Sequence, residues 1–346
     1  MESKYDYQFL TAYGEAVATG LIRQSPEDFF VEEELSFEPI GKGDHIYLWI
    51  EKTGCNTAWV ADQLVRLSEL KPVDVGYAGL KDRHAVTRQW FSLHMPNRSD
   101  VNWAALPEGV RVIQETRHTK KLKIGAIKKN KFELCIHEFE TETSSLDERL
   151  NEIKQKGIPN YFGPQRFGRN NANVQRFVSL VGARKRLKRD QKGILLSAAR
   201  SYLFNHVLSL RIQSENWNQI IEGDVLMLNG SKSIFSADAL DESLSHRVEE
   251  LDIHPTAVLW GKGEIKNTGP SLEIIMSIIN RYPEICQSLE KLNVELGYRS
   301  LRSVVNDLKW KQNNDQLTIS FSLISGAYAT SVLREFLNFD ALKENE

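Results

Sequence analysis

Apolar residues recur at every second position in two stretches far apart in the chain, and only strands with one buried face use that period. Phe132, Leu134 and Ile136 alternate with Glu133, Cys135 and His137, and Leu317, Ile319, Phe321 and Leu323 repeat the pattern. Side chains of a strand point to opposite faces in turn, so such text describes a sheet half against a core and half toward water. His45–Ile50 is a β-rich run without a breaker; strands are read from Phe29 to Ile50, and Arg88–Met95 alternates again. Helices interrupt the strands. Asn56 is placed to cap one carrying Trp59, Val60, Leu64 and Leu67, which Pro72 ends. Ser145 and Glu148 form a capping box for a helix with Leu146, Leu150 and Ile153 on one side, stopped by Gly157 and followed by Pro159. Residues 194–213 read as a buried helix, and a last one is expected from about Thr330 to Asn338. The mixture predicts an α+β fold with a mixed, largely antiparallel sheet rather than a doubly wound parallel one.

With 346 residues the chain exceeds most single cores, so two structural units are expected, with a boundary near 157. Its 41% hydrophobic and 26% charged residues are those of a globular protein. The N-terminus carries Glu2, Lys4 and Asp6 and no apolar stretch, and no run approaches the length of a membrane span, so a cytoplasmic location is expected. Cys55, Cys135 and Cys286 are far apart, and the eight histidines show neither HExxH nor HxH spacing, so neither a disulfide framework nor a metal site is expected. The absence of GxxxxGK[ST] and GxSxG patterns disfavours ATP-driven and α/β-hydrolase chemistry.

Four segments have the composition for chemistry on RNA. In Gly76–Trp90, Asp82 sits between Lys81 and Arg83, with His84 next and Arg88 close by. A carboxylate among cations stays ionised at neutral pH, as a nucleophile must, although a solvated turn would look the same. Arg117–Lys131 holds seven Lys/Arg and no acid, the pattern of a phosphate contact or of a solvated basic face. Asn160–Asn173 interleaves Tyr161, Phe162 and Phe167 with Arg166 and Arg169, which suits unstacked RNA bases but also a packed turn. Arg184–Lys192 is a further basic patch. The net charge of −2 sets no limit on such contacts, because local patches make the field at a binding face.

Taken together these segments resemble the TruD family of tRNA pseudouridine synthases, in the family's order and through most of the chain. The resemblance is carried by Pro26–Phe29, Gly54–Thr57, Ala78–Thr87, Asn160–Gly168, Leu196–Arg200 and Ala329–Arg334, of which Ala78–Thr87 and Asn160–Gly168 are the most specific. It implies a catalytic core formed by residues 1–156 and 303–346, with a family-specific domain inserted at 157–302. It implies uridine-13 of tRNA as substrate, isomerised to pseudouridine after being flipped out of its stack, without cofactor or metal. Asp82 falls on the family's nucleophile, and Phe29 and Asn130 on positions that contact the substrate. Tyr328 stands where a family member carries Phe, and its hydroxyl leaves stacking possible. Arg23, Lys81 and Arg83 are the cations that would keep Asp82 ionised, with His84 as a further supporting residue. A monomer acting on tRNA is expected. The competing readings are an RNA-binding protein without catalysis and another RNA-modifying enzyme, such as a methyltransferase; the latter would want a Gly-rich cofactor loop that the sequence lacks.

Overall fold

The computed structural model describes residues 5–96, 100–183, 189–237 and 241–339. Its elements in chain order begin with β1 (Ala18–Ile22), β2 (Phe29–Leu35), β3 (His45–Thr53), α1 (Thr57–Ser68), β4 (Val75–Tyr77), β5 (Val86–His94), β6 (Val110–His118) and β7 (Ile127–Thr141). There follow α2 (Thr143–Lys156), β8 (Ile158–Pro159), α3 (Asn173–Gly182), α4 (Arg189–Gln213), β9 (Val225–Leu228), β10 (Ile234–Ser236), α5 (Glu242–Glu249) and β11 (Ile253–Leu259). The last are α6 (Gly269–Arg281), α7 (Pro283–Lys291), β12 (Gly297–Ser300), β13 (Arg302–Ser303), β14 (Asn306–Asn313), β15 (Gln316–Ile324), α8 (Ala329–Leu333) and β16 (Leu337–Asn338).

Contacts divide the chain into two compact units. The sheet unit comprises Val17–Thr143, Val305–Gly326 and the chain from Leu337 on; the helical unit comprises the chain up to Ala16, Ser144–Val304 and Ala327–Phe336. The contact boundaries fall at 144 and 304, against the 157 and 302 read from the sequence, and two short terminal segments join the helical unit.

In the sheet unit ten strands of the described chain form one sheet, in the order β14-β15-β7-β2-β5-β3-β6, with β1 on β7, β16 on β1 and β4 on β5. Only β2/β5 and β1/β16 pair in parallel, so the fold is α+β with a mixed, largely antiparallel sheet. Helix α1 lies on one face. Val60, Ala61 and Leu64 pack against Ile46, Leu48 and Ile50 of β3 and Phe91 and Leu93 of β5. Asn56 is its N-cap, as the sequence predicts, but its side chain makes no capping hydrogen bond, and Trp59 is 39% exposed rather than on the buried side. The helix ends at Glu69 in a left-handed conformation, before Pro72 is reached.

In the helical unit α4 is the central element, with Tyr202, Leu203, Phe204, Val207 and Leu208 buried among residues of α3, α6 and α7. A four-stranded sheet, β10-β9-β11-β12, and the pair β13-β8 complete it. Two boundaries differ from the sequence reading. Helix α2 begins at Thr143, so Ser145 lies inside the helix and is not its cap. Helix α8 stops at Leu333, because Leu337 and Asn338 are drawn into parallel pairing with Ala18 and Thr19.

Candidate active site

One end of one sheet face breaks the apolar rule. On β3 the core-facing stripe is Ile46, Leu48, Ile50 and then Lys52; on β2 it is Phe29, Val31 and then Glu33. On β5, Leu93 and Phe91 give way to Gln89 and Thr87, and on β7, Ile136, Leu134 and Phe132 give way to Asn130. Cross-strand partners share a face, and the register joins these positions: Lys52 opposes Thr87, Thr87 opposes Val31, and Glu33 opposes Asn130. Buried polar groups persist only where hydrogen bonds or function repay their desolvation, so this polar end marks a site.

The loop between β4 and β5 is fastened to that end. Gln89 Nε2 donates to Gly79 O at 3.2 Å, and Gln89 Oε1 accepts from Thr57 Oγ1 at 2.9 Å. Thr57 Oγ1 accepts from Lys81 N at 2.9 Å. Lys52 Nζ donates to Asp82 O at 2.9 Å and to Cys55 O at 2.6 Å. Burial pulls Lys52 from the usual lysine value down to about 8. Held in this way, the Asp82 side chain is 49% exposed, with Arg23 Nη2 at 3.2 Å from its Oδ2.

Of the three cations flanking Asp82 in the sequence reading, Arg23 is therefore its partner. Lys81 turns away and donates to Glu33 Oε2 at 2.7 Å, in a pair that is almost fully buried. Burial pushes the Glu33 carboxyl up, and the Lys81 ammonium opposes that shift. Arg83 Nε reaches Gly54 O at 3.3 Å, and His84 is exposed. Arg88 pairs with Glu51 at 2.8 Å and Glu32 at 3.5 Å instead. Arg23 takes a left-handed backbone, φ 58°, which is costly for a residue other than glycine. Its guanidinium lies 4.2 Å from the centroid of the Phe29 ring, which is 2% exposed and meets Phe132 edge-on at 6.3 Å. The Asn130 carboxamide oxygen is out of contact with solvent and has no hydrogen-bond partner among the described residues.

Tyr328 belongs to the helical unit. Its hydroxyl accepts from Arg166 Nη2 at 2.6 Å, and its ring meets Phe162 at 6.4 Å. Arg299 also lies over Phe162, at 4.0 Å from the ring centroid. The Asn160–Gly168 segment proves to be mainly a packed turn. Tyr161 and Phe167 enter the core, Asn160 is bonded to Ser300, and Asn205 brackets the main chain of Phe162 on both sides. Phe162 and Arg166 stay partly exposed, and Pro164, Gln165 and Arg169 are exposed. In the basic segment 117–131, Lys128 and Lys129 face Glu34 and Lys131 faces Glu32, while Lys120 and Lys123 stay exposed. In the basic patch at 184–192, residues 184–188 lie outside the described residues.

Among the described residues one group of metal-ligand types comes together: Asp28, Cys135 and His137, with ligand atoms within 4.8 Å of one another. Hydrogen bonds occupy it. His137 Nε2 is 2.7 Å from Asp28 Oδ1, and Asp28 Oδ2 accepts from Ser25 N at 2.7 Å, which staples the turn before β2 to β7.

Sequence reasoning missed Lys52, Gln89, Thr57 and Glu33. The signal was a polar residue standing where the period-two stripe calls for an apolar one, legible for Lys52 after Ile46, Leu48 and Ile50.

Comparison with known proteins completes the picture. The family model for tRNA pseudouridine synthase D (TruD) matches residues 9–179 and 171–336. A tRNA pseudouridine synthase D from Methylococcus capsulatus is 46% identical over 332 residues, 95% of this chain and 94% of its own. One from Nitrosococcus oceani is 43% identical over 344 residues, covering 97% and 96% of the two chains. Among solved structures, a Methanosarcina mazei protein assigned to tRNA pseudouridine synthase D superposes with a TM-score of 0.68 over 94% of this chain and 95% of its own; at 18% identity it speaks to the fold alone. On the profile match and the relatives' identity over nearly their whole length, the chain belongs to the TruD family of tRNA pseudouridine synthases.

Proposed function

We propose that this protein isomerises uridine-13 of tRNA to pseudouridine, with the Asp82 carboxylate as nucleophile. The observation that carries the reading is the Asp82 side chain: half-open to solvent, 3.2 Å from one guanidinium, on a loop tied down from beneath by buried side chains. Relatives that align over nearly their whole length are named tRNA pseudouridine synthase D, which supports the reaction class. The catalytic core is then residues 1–156 and 303–346, which contain the sheet unit, with the family-specific domain inserted at 157–302.

A stacked uracil must be extruded before any side chain can reach it. Asp82 attacks C6 of the base or C1′ of the ribose, the N1–C1′ bond breaks, the trapped base turns, C5 bonds to C1′, and the bond to Asp82 breaks to free the carboxylate. N1 gains a proton and C5 loses one, so every atom is conserved and no cofactor or energy source is consumed. Arg23, 3.2 Å from the carboxylate, orients it. The unpaired Asn130 carboxamide oxygen suits the uracil N3–H. Phe29, buried beneath Arg23, serves as a wall of the pocket. Tyr328, whose hydroxyl accepts from Arg166, is a substrate-contacting position by resemblance to the family.

The test is Asp82→Asn, which keeps shape and removes charge. Pseudouridine at position 13 should fall by about 1,000-fold or more while tRNA binding persists. Substantial pseudouridine made by the variant would overturn the assignment. Mapping pseudouridine in cells lacking the protein should show loss at that one tRNA position.

A further inference from the structure

We propose that Lys52 is a positioning residue for this reaction: its ammonium, sealed under the loop, grips the main-chain carbonyl of Asp82 and so fixes where the carboxylate stands. The inference rests on Asp82 being the nucleophile.

Lys52 is fully buried. Its hydrogen-bond partners among the described residues are two carbonyl oxygens, of Cys55 and Asp82, and no carboxylate. Burying an ammonium without a carboxylate is expensive. Leucine or methionine would extend the stripe of Ile46, Leu48 and Ile50 and pack under α1 without that cost. What lysine provides and an apolar residue cannot is a charge-assisted bond to a chosen carbonyl, and one of the two carbonyls belongs to Asp82 itself.

The grip has company. Successive main-chain groups of the loop are each taken by a side chain from a regular element: Gly79 O by Gln89 of β5, Lys81 N by Thr57 of α1, and Asp82 O by Lys52 of β3. Side chains on strands and helices hold position better than a free loop can, and a misplacement of about 1 Å at a reacting group costs on the order of 100-fold in rate.

The ammonium titrates within the working range, since burial lowers it to about 8. The titratable groups that face it are Asp82 and Cys55, which favour the protonated form, and Lys81, which opposes it. As pH rises through about 8 the amine keeps a hydrogen to donate but loses the charge that strengthens the bond. Turnover should therefore fall on the alkaline side.

The experiment compares single-turnover rates of the full-length protein on tRNA from pH 6.5 to 9.5 for the wild type, Lys52→Met, Lys52→Arg and Asp82→Asn. In the wild type the rate should hold to about pH 8 and then fall. Lys52→Met should lose about 10- to 100-fold in rate, with tRNA affinity changed less than about threefold and no alkaline limb near 8. Lys52→Arg, whose charge persists, should recover part of the rate and move the limb to higher pH. A wild-type rate that stays flat to pH 9.5 overturns the proposal even if no Lys52 variant folds. So does a Lys52→Met protein with wild-type rate and profile while Asp82→Asn is inactive. An active Asp82→Asn protein would instead bring down the nucleophile reading itself, and is told apart by that result.

Discussion

Glu33 and Lys81 make an ion pair in which the carboxylate side chain has no exposed surface and the lysine about one-twentieth. Glu33 Oε1 also accepts from Trp90 N at 3.2 Å, so the carboxylate ties β2 to β5 and to the loop carrying Asp82. Such a pair contributes little net stability, because desolvation cancels most of the attraction, yet removing one partner strands a buried charge. Lys81→Met should therefore cost about 3–5 kcal/mol, and Glu33→Leu combined with Lys81→Met should recover most of it. Urea unfolding of the two single variants and the double variant measures the coupling. A Lys81→Met protein destabilised by less than about 1 kcal/mol would show that the pair is not the anchor its geometry describes. This pair also explains why Lys81 is not the partner of Asp82: its position in the loop suited either carboxylate, and the buried one holds it.

Helix α4 and strand β11 each bury a histidine in the neutral state, which gives the helical unit a pH response that can be assigned to elements. His206 of α4 packs edge-on to Tyr202 at 4.4 Å, and burial lowers it to about 4; His254 of β11 accepts from Arg302 Nε at 3.0 Å, and burial lowers it to about 3. Both groups bind protons more readily unfolded than folded. Their contribution is complete above the ordinary histidine value and is lost as pH falls toward the folded values, by about 2 kcal/mol each between pH 6.5 and 5. Glu335, raised by burial to about 7, works oppositely over pH 7 to 4.5 and offsets roughly one of them. His206→Phe should thus lose less thermal stability than the wild type between pH 7 and pH 5, and an identical fall in unfolding temperature would refute the assignment. Elements of this length were also the most legible in the sequence. Helix α4 was readable from its apolar run, and the strand pairs of β7 and β15 from their alternation, because both patterns are local. Helix α8 was misread because β16 pairs with β1, a partner more than three hundred residues away that no local pattern reveals. The Asp82 loop could be found from its motif, whereas its anchors Lys52, Thr57 and Gln89 come from three elements and meet only through register.

The whole chain carries 44 basic and 46 acidic residues, so attraction to a polyanion must come from where the charges stand. The basic segment 117–131 divides in two on this criterion. Lys129 and Lys131 lie on β7 beside β2, whose Glu34 and Glu32 stand 3.6 Å and 3.3 Å away, and Lys129 also faces Asp307 at 3.6 Å. Those lysines are locally neutralised, and the acids would be left behind if a phosphate took their place. Lys121 donates to Val73 O, which holds the ammonium close to the protein surface. Lys120 and Lys123, in the connection between β6 and β7, are exposed. Each phosphate met by an uncompensated lysine releases condensed counterions, so affinity falls with salt in proportion to the number of such contacts. Replacing Lys120 and Lys123 together by alanine should weaken tRNA binding and reduce the slope of log affinity against log salt by about one to two. Lys131→Ala should leave the slope nearly unchanged, because Glu32 already balances its charge. Binding measured across a salt series separates the outcomes. Equal slopes for the wild type and the Lys120/Lys123 variant would mean that this connection does not meet the RNA backbone, and a large change in Lys131→Ala would mean that its pairing with Glu32 gives way when tRNA binds.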